Sequence, residues 1–172
     1  MSIVLIGPWC SGKTTLGKIM AHEVGRAFID LDELTPDYGA ELGWSVEHLI
    51  ERNAAVGMLE SEHEWEHVRA HAVERVVSEH QQAVIALGAS YTSYTGSEYD
   101  RRVRTALSGH SVMLVVPSTD LSDVETICRS RATRTRGVEW VKERIDFPSW
   151  SPTVLDLDIA ESVIVNPDRD VQ

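Results

Sequence analysis

Cysteine is scarce: only Cys10 and Cys128 occur among 172 residues, far apart in the chain. Two cysteines cannot make a disulfide framework, so a reducing, cytoplasmic compartment fits. Positive charge is also short. Lys and Arg number 16 against 27 Asp and Glu, a formal net charge of −11. A chain this acidic is a poor partner for nucleic acid, whose phosphates attract positive surfaces, and for anionic membranes. No apolar run approaches the ~18 residues that a spanning helix needs. The first residues lack the basic stretch of a signal peptide, so none is expected. Internal repeats and low-complexity segments are absent. What remains is ordinary globular composition, 42% hydrophobic and 25% charged. At this length a single domain, 1–172, with a real core is expected. Monomer and homodimer both stay open.

Short β-branched runs alternate with helical patterns. Residues 2–6, 27–29, 83–87, 111–116 and 163–165 read as strands. Residues 14–24, 99–107 and 121–131 read as helices. Ser45 is a suitable N-cap for a helix from Val46, and the helical pattern runs on to His80 with a break near Gly57. Residues 35–44 contain Pro36, Gly39 and Gly43 and read as irregular. Apolar strands alternating with helices specify a three-layer α/β domain, a parallel sheet covered on both faces.

Residues 7–14, GPWCSGKT, match GxxxxGK(S/T), the phosphate-binding loop. Gly7 and Gly12 permit backbone angles that other residues avoid. The loop then turns its N–H groups inward at a helix N-terminus, where anions bind. Pro8, Trp9, Cys10, Ser11 and Thr15 complete or flank the cradle. Lys13 reaches the outer phosphates, and the Thr14 hydroxyl is suited to Mg²⁺. The motif follows an apolar strand and opens an amphipathic helix, the context that it needs.

The chain resembles the shikimate-kinase-like members of the nucleoside-monophosphate-kinase group. The resemblance rests on IVLIGPWCSGKTTLGKIMAHEVGRAFIDLDEL (residues 3–34), AVIALGAS (83–90) and VRTALSGHSV (103–112), with weaker likeness at 129–136 and in AESVIVN (160–166). It implies a five-stranded P-loop fold, a lid near 129–140, an acceptor region near 32–70, and ATP with Mg²⁺. It implies that Asp30 holds the metal through water, and that Asp32 contacts the acceptor hydroxyl and acts as general base. Asp30 and Asp32, two apart at a strand end, are expected to share a face, although either one capping the next helix is the plainer alternative. Arg129 and Arg136 match the spacing of the family's lid arginines. One is assigned to the nucleotide and one, Arg136, to the γ-phosphate, with Arg131 and Arg134 as competitors.

The acceptor side departs from the family pattern. In the family's ExxFR motif the best match is Glu62, Trp65 and Glu66, with Glu66 where arginine belongs; Arg52 and Arg69 are the alternative arginines. Gly88-Ala89-Ser90 replaces Gly-Gly-Gly. Pro152 stands where another arginine is expected, with Arg144 the nearest upstream. An arginine fork pairs a carboxylate, whereas a glutamate repels it. The expected acceptor is therefore a neutral or amine-bearing alcohol, with Glu62, Trp65, Glu66, Gly88, Ala89 and Ser90 lining its site. Shikimate itself, and nucleotide binding without turnover, are the alternatives. His63-Glu64-Trp65-Glu66-His67 also spells the HExxH of zinc proteases. No third-ligand signature follows it, so a plain surface is expected there.

Overall fold

The structure, a computed structural model, describes residues 1–144 and 148–167. Five short strands, β1 (Ile3–Ile6), β2 (Phe28–Asp30), β3 (Val84–Ala86), β4 (Ser111–Val116) and β5 (Ser162–Val165), form one parallel sheet. Their order is β2-β3-β1-β4-β5. Central strand β1 pairs Ile3 with Val84 on one side and with Ser111 on the other. Val4, Leu5 and Ile6 are fully or almost fully buried. Side chains alternate along a strand, so Val4 and Ile6 join the larger core while Leu5 joins a smaller one with Ala21, Val84 and Val115. Both faces of the sheet are therefore covered at its centre, as the unbroken apolar run of β1 requires, while edge strand β5 leaves Val163 and Val165 exposed.

Helix α1 (Lys13–Glu23) packs over the Leu5 face, where Gly17 lets the Phe28 ring approach its backbone. The larger core is filled from α2 (Leu31–Ala40), α5 (Glu66–Glu79), α6 (Ser97–Leu107) and α7 (Leu121–Arg136). Between α2 and α5 lie α3 (Val46–Val56) and α4 (Met58–Glu64). After α7 come α8 (Val138–Lys142) and α9 (Val154–Ile159). Among the described residues no helix is long and apolar enough to cross a membrane.

Three local expectations change. Residues 35–40 are helical, as part of α2, despite Pro36. Leu31, Thr35, Tyr38 and Gly39 share one buried face of α2, and this burial outweighs the single backbone hydrogen bond that proline removes. The helical stretch 46–80 breaks twice. Gly57, at φ 87°, ends α3, and a second break falls at Trp65 between α4 and α5. Helix α7 continues past 131 to Arg136, and Gly137 at φ 94° ends it. Ser45 caps α3 as expected, its hydroxyl accepting from the His48 N–H at 3.1 Å.

Candidate active site

The phosphate loop joins β1 to α1 at the carboxyl end of the sheet, where open α/β folds bind ligands. Gly7 lies at φ 131°, and a Cβ there would strike the Val115 carbonyl of the neighbouring strand, so glycine is required. Cys10 also takes a positive φ, 56°, which helps to curl the loop. Gly12 caps α1, and no side chain bonds the first N–H groups of that helix. Those donors are left for an anion, and the first turn carries no acidic residue to repel one.

Lys13 is buried. Its Nζ donates to the Gly7 carbonyl at 2.7 Å and the Pro8 carbonyl at 2.8 Å. Burial lowers its pKa, opposed by the charges of Asp32 and Asp156. The Thr14 hydroxyl donates to Asp30 Oδ2 at 3.0 Å, while Asp30 Oδ1 accepts from the Asp32 N–H at 3.2 Å and caps α2. Asp30 thus has both the capping role and a place beside Thr14. The strand ends at Asp30, so Asp32 stands in the first turn of α2 rather than on the strand. The helix start, not the alternation of a strand, brings the pair together.

A cavity of about 140 Å³ collects Trp9, Cys10, Gly12, Lys13, Thr14, Thr15, Asp30, Asp32, Gly88, Ala89 and Arg136, along with Leu87. A Cβ on Gly88 would collide with Asp32 Oδ1 and the Tyr91 ring, so glycine keeps this wall clear. Burial raises the pKa of Asp32, and the Asp30 charge adds to it; Lys13 and Arg136 pull the other way. A raised carboxylate pKa is the tuning that a general base needs. Thr14 and Asp30 are hard oxygen donors, the set that suits Mg²⁺. No group of three His, Cys, Asp or Glu able to hold a metal occurs among the described residues.

A wider groove of about 710 Å³ opens beside this cavity, lined by Cys10, Gly12, Thr15, Arg131, Arg134, Thr135, Arg136, Asn166 and Pro167. Arg131 ties α7 to the loop, donating to the Cys10 and Ser11 carbonyls at 3.3 and 3.2 Å and to the Asn166 carbonyl at 2.6 Å. Asn166 Nδ2 donates to the Ser11 carbonyl at 2.9 Å. Ser11 and Pro8 take part through their carbonyls rather than by lining the cavities. Arg129 is not brought to this groove. It bonds Glu125 at 2.8 Å, and its guanidinium lies 4.7 Å from the Trp150 ring. Arg129 and Arg136, seven residues apart, lie on the same side of α7, over Trp150 and Trp140; Arg136, at the helix end, also lines the groove with Arg131 and Arg134.

The acceptor-side residues divide. A third cavity, about 60 Å³, is lined by Glu62, Glu66, Arg69, Ser90, Ser149 and neighbours. The Glu66 carboxylate is not free in it. Buried in the first turn of α5, it accepts from the Thr95 N–H and hydroxyl at 2.7 and 2.8 Å and from the Gly96 N–H at 3.1 Å. It anchors the loop before α6. Trp65 lines none of these three cavities; it is buried against Trp44, 5.1 Å away, and beside Gly39. A kink at 65 turns that ring into the core. Arg52 is bound by Glu64 at 2.7 and 2.5 Å.

Arg69 is the arginine at the cavity. It is buried, pairs with Glu62 through Nη1, donates to the Ser93 carbonyl at 3.0 Å through Nη2, and stacks over Tyr94. Its Nε has no hydrogen-bond partner among the described residues, nor has the buried Ser149 hydroxyl. The HExxH string spans the break at Trp65, and its Glu64 is held by Arg52. Sequence reasoning missed Ser149 and buried Asp156, although Thr153-x-x-Asp156 is a legible capping box.

The shikimate kinase family model matches residues 9–136. This chain belongs to the shikimate kinase family. The shikimate kinase of Nitrosomonas europaea is 32% identical over 120 residues, 70% of this chain and 50% of that protein. That of Moorella thermoacetica is 38% identical over 87 residues, 51% of this chain and 44% of that protein. The chain thus spans half or less of the curated relatives it matches. The structure of the Acinetobacter baumannii shikimate kinase in complex with shikimate superposes with a TM-score of 0.57 at 18% identity, covering 97% of this chain and 84% of that one. That likeness supports the P-loop kinase fold.

Proposed function

We propose that this chain is an ATP-dependent kinase that phosphorylates a hydroxyl of shikimate. The observation that carries the substrate is the exchange of roles on α5. Glu66, the residue that argued against a carboxylate, is spent on the loop at Thr95 and Gly96. Arg69, one turn along the same helix, lines this cavity together with Ser149, and its Nε and the Ser149 hydroxyl have no hydrogen-bond partner among the described residues. Two buried donors without an acceptor are costly alone and suit a carboxylate. The family match and the intact phosphate loop support the kinase chemistry.

On this reading the loop amides, Lys13 and Arg136 bind the phosphates and offset charge on the transferred group. Thr14 and Asp30 would hold Mg²⁺, which neutralises phosphate charge when bound. Asp32 orients the acceptor hydroxyl and takes its proton as that oxygen bonds to the γ-phosphorus and the bond to ADP breaks.

A second reading is favoured by one observation. Glu62 already neutralises Arg69, and Asp32 lies near, so the cavity would also suit a neutral or amine-bearing alcohol. The deciding experiment is ADP release with Mg-ATP against shikimate, amino sugars, amino alcohols and nucleosides, with mass spectrometry of the product. Phosphorylated shikimate is the expected outcome. Turnover of an amine-bearing alcohol with shikimate inert would establish the second reading. Stoichiometric ATP binding without turnover on any acceptor would sink both.

A further inference from the structure

The phosphate loop and the segment after α7 meet in a cluster of three tryptophans. Trp9 lies 5.5 Å from Trp140 and 5.1 Å from Trp150, and Trp140 lies 5.9 Å from Trp150, each pair edge to face. The Trp9 N–H also donates to the Ser149 carbonyl at 2.9 Å, and Trp150 Nε1 donates to the Arg144 carbonyl at 2.7 Å. Guanidinium groups lie over the Trp140 ring from two residues: Arg136 at 4.9 Å and Arg144 at 4.4 Å.

Arg136 is the last residue of α7, just before Gly137, and it is exposed. It reaches the cavity of Lys13, Asp30 and Asp32. Among the described residues it makes no hydrogen bond or ion pair; its guanidinium lies against the face of Trp140, and its charge is felt by Asp32 across the cavity. By contrast Arg129 is bonded to Glu125, Arg131 to loop carbonyls, and Arg144 to Glu143. An arginine that is to meet a phosphoryl group has conflicting needs. It must be held in place, yet its five N–H donors must stay available. A carboxylate partner would hold it but consume donors and cancel charge. A ring face holds the cation from above and leaves the in-plane N–H groups free.

We propose that Trp140 is the positioning residue for Arg136, holding its guanidinium over the phosphate cavity while Trp9 sets that ring in register with the phosphate loop. Trp140 acts through Arg136 and touches no reacting atom. The inference rests on the reading that this cavity takes a nucleotide, but not on transfer to any particular acceptor.

The test is a double-mutant cycle read by calorimetric binding. Wild type, Trp140→Leu, Arg136→Ala and the double variant are titrated with Mg-ADP and with the magnesium complex of a non-hydrolysable ATP analogue. The quantity of interest is each protein's preference for the analogue, which reports γ-phosphate contact. Trp140→Leu is expected to cut that preference roughly tenfold, as loss of a charge-assisted contact does. In the Arg136→Ala background the same change is expected to have less than about a twofold effect, since coupled residues are not additive. Trp140→Phe keeps a ring face and is expected to restore most of the preference. It is also the variant to read if the leucine form does not fold. Equal effects of Trp140→Leu with and without Arg136, or an unchanged preference, would overturn the proposal. So would a phenylalanine variant as impaired as the leucine one. Wild type that shows the analogue preference but phosphorylates no acceptor would defeat the kinase reading while leaving the cycle readable. Wild type that binds neither nucleotide would defeat both.

Discussion

The two ends of this site are built in opposite ways. At the nucleotide end, residues 7–15 supply a local device: one loop turns its amides inward and sets Lys13 and Thr14 on the helix that follows. At the proposed acceptor end, Glu62, Arg69, Ser90 and Ser149 come from α4, α5, the loop after β3 and the turn after α8. A local device is written as a contiguous motif. An assembled wall is written nowhere in particular. On the proposed reading, the carboxylate-binding arginine has moved one helical turn, to position 69, and the wall keeps an arginine.

The charge contrast points the same way. The chain carries −11 overall, yet Arg131, Arg134 and Arg136 gather on the nucleotide groove. The acceptor cavity instead holds Arg69 balanced by Glu62, with Asp32 near. Local fields, not net charge, govern which end attracts an anion.

The largest effect should come from breaking the nucleotide end. Lys13→Ala is expected to lower kcat by roughly 10²–10³-fold or more, measured by coupled ADP release with saturating acceptor. Activity near that of the wild type would mean that the loop lysine does not serve phosphoryl transfer.

Asp32 joins the two ends, so its loss should be chemical rather than a loss of binding. Asp32→Asn is expected to cost about 10²–10⁴-fold in kcat while the affinity for Mg-ATP stays the same. Burial and Asp30 raise the pKa of Asp32, so its base form is lost as pH falls through a value above that of an ordinary aspartate. The acid limb of the kcat/KM profile should carry that displaced value in the wild type and vanish in the variant. An unchanged profile would assign the limb to another group.

Arg69 sharpens the comparison. Arg69→Met is expected to raise the shikimate KM by about 10–100-fold, the worth of charge-assisted hydrogen bonds, and to leave the ATP KM within about twofold. Equal changes in both constants would indicate a purely structural role.

Glu66 should show the smallest functional effect. Glu66→Gln keeps the shape but offers an amide where three donors converge, so a melting temperature lower by a few degrees, on the order of 1–2 kcal/mol, is expected. The acceptor KM should stay close to wild type. A large change confined to that KM would return Glu66 to substrate contact.

Much of the architecture was legible from period alone. The apolar runs became the five strands, and Ser45 capped its helix. Residues 35–44 misled because Pro36 and the two glycines signal a break, whereas the face of Leu31, Thr35 and Tyr38 is buried deeply enough to keep α2 helical through Ala40. Trp65 and Glu66 misled for a different reason. A family motif assigns roles by position, but the kink at 65 sends the ring toward Trp44 and the carboxylate toward Thr95. Arg129 fits the spacing of the lid arginines and shares a side of α7 with Arg136, but it lies about two turns back from the helix end, where Glu125 and Trp150 engage it.

Local rules were enough for whatever depends on neighbours in the chain: the strand periodicity, the caps, and a phosphate loop whose amides and lysine lie within eight consecutive residues. The acceptor wall, the choice among the arginines of α7, and the meeting of Trp9 with Trp140 and Trp150 join residues far apart in sequence. Those contacts exist only after the sheet has ordered its strands and the helices have packed on it. Burial and shape then decide which side chain faces a cavity, and no spacing rule carries that information.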